Sequence, residues 1–158
     1  MSQNALVVFY SRTGTTRRLA EHIAVPLDAD LEELTDLKDR SGAIGYAGGI
    51  KDAALKRGTD LEPPRNDPAD YDLVVLGTPV WANTMACAMR TYIGALAERL
   101  PRIALFCTMR ASGADRALRH MAELAGREAE ATLALRMKLV LKGECADEIG
   151  AFIETLRD

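Results

Sequence analysis

The chain has 158 residues, 48% hydrophobic and 27% charged, which suits one domain with a full core and excludes disordered or fibrous compositions. Its 20 Lys and Arg stand against 23 Asp and Glu, a formal charge of −3 that argues against nucleic-acid binding and gives no reason to invoke membrane insertion. No apolar run approaches the ~20 residues of a membrane helix, no secretory leader pattern opens the chain, and Cys87, Cys107 and Cys145 are dispersed without metal-like spacing, so reduced thiols in a cytoplasmic protein are expected.

Apolar runs alternate with helical patterns along the whole chain, the pattern of crossover units on a parallel sheet. The first strand is read at Leu6 to Tyr10 and its helix at about Thr15 to Ala24, stopped by Pro26. A short second strand falls near Leu31 to Leu34, and the third, clearest one is centred on Asp72-Leu73-Val74-Val75-Leu76-Gly77. The fourth runs from about Ile103 to Cys107, and the fifth is placed around Ala131 to Leu135, extending towards Leu141. Helices are expected at about Met85 to Leu100, Ala114 to Gly126 and Ala146 to Leu156. Between Asp36 and Pro64, Gly42, Gly45, Gly48, Gly49 and Gly58 leave only a brief helix near Ile50 to Lys56, in a segment that is either a lid over a ligand or a long connection.

The fold class expected is α/β, an open doubly wound sheet of five parallel strands with helices on both faces, in a single domain spanning residues 1–158. Such sheets bind ligands at the carboxyl ends of their strands, where the winding reverses. Immediately after the first strand comes Ser11-Arg12-Thr13-Gly14-Thr15-Thr16. Four hydroxyl residues and a glycine at a strand-to-helix turn are more than a helix cap requires. With the free N–H groups of the helix start they make a phosphate cradle. The Gly-Lys-Ser/Thr ending of nucleotide hydrolases is missing, as is the three-glycine dinucleotide fingerprint. No cysteine lies in this loop, so the phosphatase arrangement of a cysteine nucleophile and a closing arginine is not met.

Two further loops are expected beside it: Thr78-Pro79-Val80-Trp81-Ala82-Asn83-Thr84, with the only tryptophan, and Thr108-Met109-Arg110-Ala111-Ser112-Gly113. Together the three offer a phosphate cradle, an aromatic face and a polar loop, a set suited to a planar ring with a phosphorylated tail. Ser11, Thr13, Gly14 and Thr16 match the flavodoxin phosphate loop in register. Tyr71 to Trp81 resembles that family's third strand and first flavin loop, and Phe106-Cys107-Thr108 with Ser112-Gly113 its fourth strand and second flavin loop.

The resemblance covers the whole chain and implies a short flavodoxin with strand order 2-1-3-4-5 and bound FMN. It implies that Ser11, Arg12 (through its backbone), Thr13, Gly14, Thr15 and Thr16 hold the phosphate. The ring would lie between Thr78, Pro79, Val80, Trp81, Ala82 and Asn83 on one side and Thr108, Met109, Arg110, Ser112 and Gly113 on the other. Trp81 is expected against the flavin, with packing beneath the loop as the alternative. Asn83 stands where relatives often have glycine, which impedes the peptide turnover that serves reduced N5.

Arg110, with Arg90 on the helix after the first flavin loop, is a departure from the acidic surround of low-potential carriers; the alternative is that Arg110 points into water. At ~4 Å and an effective dielectric near 20, one guanidinium contributes about 4 kcal/mol to an anionic reduced flavin before solvent screening. Arg17 and Arg18 either add to the phosphate field or form a solvated helix face. His22 and His120 are expected far from the flavin loops, and Cys107 as buried packing. No catalytic side chain is assigned and no metal site is expected, because the flavin carries the chemistry. The resemblance thus implies electron or hydride transfer, from NAD(P)H to a quinone or other small acceptor if the chain is an enzyme. The alternative is a non-enzymatic carrier that takes electrons from a protein reductase and docks on a protein acceptor. The glycine-rich segment could close the pocket across a homodimer.

Overall fold

Alternation decides how the sheet is covered. In β1 (Ala5–Phe9), Leu6 and Val8 point to one face and Ala5, Val7 and Phe9 to the other. In β3 (Leu73–Trp81), Val74 and Leu76 share the first face and Leu73 and Val75 the second. In β5 (Arg102–Met109), Ile103 and Leu105 oppose Ala104 and Phe106 in the same way. Strands apolar on both faces must be covered on both, which is the condition for a parallel sheet between two helical layers. The computed structural model describes residues 3–158.

The remaining strands are β2 (Asp30–Glu33), the two-residue β4 (Thr84–Met85) and β6 (Ala129–Arg136). Five of the six are parallel, in the spatial order β2-β1-β3-β5-β6, and β4 folds back antiparallel on the end of β3. Omitting β4, this is the order 2-1-3-4-5 that the resemblance implies. Helices α1 (Thr15–Leu27), α5 (Met137–Lys142) and α6 (Ala146–Arg157) lie on one side. Helices α2 (Gly42–Ala54), α3 (Cys87–Leu96) and α4 (Ala114–Ala125) lie on the other.

Several boundaries differ from the sequence reading. β3 and β5 run on to Trp81 and Met109, through the first residues read as loop. Pro26 lies inside α1 instead of ending it; a proline in the last turn sacrifices one hydrogen bond, and the stop comes at Asp28 in the left-handed region. The extension towards Leu141 is helix α5, not strand: Met137-Lys138-Leu139-Val140-Leu141 is a short apolar run whose period is ambiguous. Helix α2 begins at Gly42, eight residues before the expected Ile50, despite its glycines. The Met85–Leu100 helix begins at Cys87, because Thr84 and Met85 form β4.

Helix α2 is anchored by charge rather than by apolar area. Arg40, just before it, is buried and donates to Asp36 from Nε (3.1 Å) and to Asp52 from Nη1 (2.8 Å). Lys38 and Arg57 also reach the Asp52 carboxylate. The hydrogen bonds from Arg40 and then Lys38 hold the Asp52 carboxyl down at about 2. Its folded value lies below the unfolded value near ~3.9, so this contribution to stability is complete above about pH 4 and disappears as pH falls towards 2. Asp52→Asn leaves Arg40 buried with half its anionic partners. It is expected to cost about 3 kcal/mol at neutral pH and to flatten the acid limb of the stability curve between about pH 4 and pH 2, as read by urea unfolding across that range.

Candidate functional site at the carboxyl edge of the sheet

The turn from β1 into α1 is set by Gly14, whose φ of 104° lies where a side chain is strained. Its N–H bonds to the Ser11 hydroxyl (3.0 Å), closing the loop on itself. The first helical bond runs from Arg18 N–H to Gly14 C=O, and no side chain caps the helix. The amides of Thr15, Thr16 and Arg17 therefore have no protein acceptor among the described residues. The Thr16 hydroxyl bonds to that of Thr108 (2.9 Å, both residues buried), which ties the cradle to the end of β5. Arg17 turns aside to a bidentate pair with Glu33, at 2.8 and 2.5 Å.

The second loop is a hairpin. Trp81 pairs with Thr84 across Ala82 and Asn83, both at positive φ (51° and 60°), the signature of a type I′ turn. The Thr78 hydroxyl accepts from Ala86 N–H (3.0 Å) and donates to Pro79 C=O (2.9 Å), so it holds the hairpin's base and is not free for a ligand. Asn83 lies against the third loop. A Cβ at Gly113 (φ 97°) would stand 2.5 Å from Asn83 Oδ1, so the two loops touch there.

A cleft of about 60 Å³ lies between the cradle and these loops, lined by Arg12, Thr13, Thr15, Thr16, Pro79, Val80, Trp81, Thr108 and Arg110 from the sequence reading. Ser11 opens instead into an adjoining cavity of about 330 Å³ at the ends of β1 and β2. Gly14, Gly113, Ala82 and Asn83 shape the loops without lining the cleft, and neither do Met109 and Ser112. Trp81 is 3% exposed and sits edge-on to Tyr10, with ring centroids 5.5 Å apart, so the packing alternative accounts for most of its surface.

Two lining residues escaped the sequence reading. Tyr46 comes from α2, which reaches the cleft, and Met137 from the first turn of α5. The Arg12 and Arg110 guanidinium carbons lie 4.6 and 5.3 Å from the Tyr46 ring centre. Arg110 thus lies over an aromatic ring while remaining exposed to solvent.

No protein-family model and no curated protein matches the chain. Solved structures do. A flavoprotein of Lactobacillus acidophilus, crystallised in complex with FMN, superposes with a TM-score of 0.72 at 22% identity, over 89% of this chain and 97% of that one. A WrbA-like flavodoxin of Agrobacterium tumefaciens gives 0.61 at 16% identity, over 99% and 94%. The two-electron-reduced flavodoxin of Megasphaera elsdenii gives 0.57 at 16% identity, over 95% and 98%. The fold is flavodoxin-like. In this flavodoxin-like chain the Gly14 turn, the tryptophan hairpin and the Thr108–Gly113 loop all stand at the carboxyl ends of β1, β3 and β5.

His120 is nearer the site than the sequence suggested. Its Nδ1 lies 2.8 Å from the hydroxyl of Thr84, the residue closing the hairpin turn, and Arg90 donates to the same hydroxyl (2.9 Å). Burial, then the Lys56 and Arg116 charges, hold the imidazole below its ordinary value. Burial also pulls the Arg90 guanidinium down; its Nε is buried without a partner, and no carboxylate pairs with it among the described residues. Cys107 is fully buried, and burial pushes its thiol up to about 12, consistent with packing.

The hairpin turn carries strain that a substitution can remove. At φ 51° an alanine is disfavoured and a glycine is not. Ala82→Gly is expected to raise unfolding free energy by about 0.5–1 kcal/mol, measured by urea denaturation.

Proposed function

We propose that the chain binds FMN and works as a redox flavoprotein. The observation that carries the reading is the uncapped, glycine-turned start of α1, whose free amides open beside an aromatic-lined cleft at the carboxyl edge of a flavodoxin-like sheet. Free amides at a helix start, with Thr13 and Thr15 hydroxyls around them, match the acceptor oxygens of a phosphate, and the helix dipole adds to the attraction. The FMN complex of the Lactobacillus acidophilus protein supports the same assignment.

In this reading Arg12, Thr13, Thr15 and Thr16 hold the phosphate, Ser11 and Gly14 shape the turn around it through their mutual hydrogen bond, and the loops at 78–83 and 108–113 hold the ring. Thr16 does so while bonded to Thr108, which fixes the phosphate turn against the ring loop. Pro79, Val80 and Trp81 supply apolar surface that keeps water off one side of the cleft. Thr78 keeps the hairpin in register through its two backbone bonds. Bound FMN supplies electron or hydride transfer, and the protein supplies position and field.

The field favours an enzyme. Arg110 lines the cleft, Arg12 belongs to the phosphate turn and lines the cleft too, and Arg90 is partly buried behind the hairpin; none has a carboxylate partner among the described residues. Cations around the cleft stabilise an anionic reduced cofactor, which suits two-electron exchange between NAD(P)H and a quinone or similar acceptor. A low-potential carrier of single electrons would need the opposite surround. Within the same proposal the protein is cytoplasmic, and the exposed Leu37, before α2, and Ile44, in its first turn, support a homodimer. No helix among the described residues is long and apolar enough to cross a membrane.

Steady-state oxidation of NADH and NADPH by the FMN-loaded protein tests the enzyme reading. Turnover with a soluble quinone alone is the expected result. Turnover that appears only when a protein reductase is added would transfer the assignment to the electron carrier.

A further inference from the structure

Tyr46 is the one aromatic side chain at the mouth of the cleft that neither flavin loop supplies. It is set on α2, and α2 is fixed. The buried Arg40–Asp36–Asp52 cluster ties down the chain before and along the helix. Gly49 lets the helix lie directly on Trp81: a Cβ there would be 2.8 Å from the indole. The Tyr46 ring meets Trp81 edge-on, 6.3 Å between centroids, and Trp81 meets Tyr10 in the same manner. A row of three aromatic rings thus runs from β1 to the cleft mouth.

What covers Tyr46 is held much more loosely. Arg110 is exposed and has no hydrogen bond or carboxylate partner among the described residues; its guanidinium rests on the Tyr46 ring. Arg12 has the ring and one long bond, 3.4 Å, to the Arg40 carbonyl. Each such contact is weak at an exposed site and easily exchanged. The cleft these groups close encloses about 60 Å³, whereas sites for ligands of cofactor size occupy roughly 300–1,000 Å³. Something at the mouth must give way, and the two guanidinia are the groups with least to hold them.

We propose that Tyr46 is a binding residue for the planar ring: the ring stacks on Tyr46 in exchange for guanidinium contact, and Arg12 and Arg110 swing to its edge. This rests on the flavin reading above. It gives the 36–64 segment a role as a fixed wall rather than a mobile lid, and it moves part of ring recognition from the two loops to α2.

The test is FMN affinity, read by flavin fluorescence, for the wild type, Tyr46→Phe and Tyr46→Leu, with thermal unfolding of each apoprotein. Leucine keeps apolar packing against Trp81 and removes the aromatic face; phenylalanine keeps the face. Tyr46→Leu is expected to weaken FMN about tenfold and Tyr46→Phe less than about threefold, with unfolding temperatures close to wild type. If Tyr46→Leu destabilises the apoprotein, Tyr46→Phe alone still decides: with its unfolding temperature unchanged, a loss of about tenfold in that variant contradicts stacking. Wild-type affinity in Tyr46→Leu overturns the proposal and leaves the flavin reading intact. Absence of FMN binding by the wild type overturns both.

Discussion

The reversal at Gly14 is the constraint on which the site depends. β1 ends among fully buried residues, and α1 must start within a few residues and run back along the sheet. A left-handed glycine makes that turn without strain and leaves the first helical amides open on the side facing the other loops. Once this turn is fixed, the Thr16–Thr108 bond sets the distance between the first and third loops. The Gly113–Asn83 contact then sets the distance between the third and second. The three loops are therefore one unit, each positioned by a short contact to the next, on a sheet whose strands are buried on both faces.

The charges around this unit are uneven. Several structural arginines are paired with carboxylates, Arg17 with Glu33, Arg40 with Asp36 and Asp52, Arg99 with Asp67 and Arg102 with Glu130, while Arg127 and Arg157 are held by backbone carbonyls. Arg12, Arg90 and Arg110, the three at or behind the cleft, have no carboxylate partner among the described residues. Leaving a partly buried guanidinium such as Arg90 unpaired costs stability. That cost is consistent with a site that uses positive field.

Much of this was legible in the sequence because two signals are local. Continuous apolar runs bounded by turn residues mark β1, β3 and β5, and the hydroxyl-rich turn after β1 follows directly from the first of them. Helix α2 was obscured because Gly42, Gly45 and Gly48 read as loop. Gly45 and Gly49 are instead space-makers, against the Arg40 backbone and the Trp81 indole, and their partners are set by tertiary packing. Tyr46 was lost with the helix that carries it. The β3–β4 hairpin was hidden for the opposite reason: Ala82 gives no turn signal, yet it occupies a left-handed position normally filled by asparagine or glycine. His120 was expected away from the flavin loops because it falls on a helix, and the sequence does not show which helix packs beside the hairpin.

The central claim is that the open amides after β1 hold the phosphate of a flavin whose ring occupies the adjoining cleft. Titration of the apoprotein with FMN and with riboflavin, which has the same ring and no phosphate, tests it most directly. The account predicts low-micromolar or tighter binding of FMN and at least about tenfold weaker binding of riboflavin, the loss expected from removing charge-assisted hydrogen bonds to the cradle. Equal affinity for the two, or no binding of either, would contradict it.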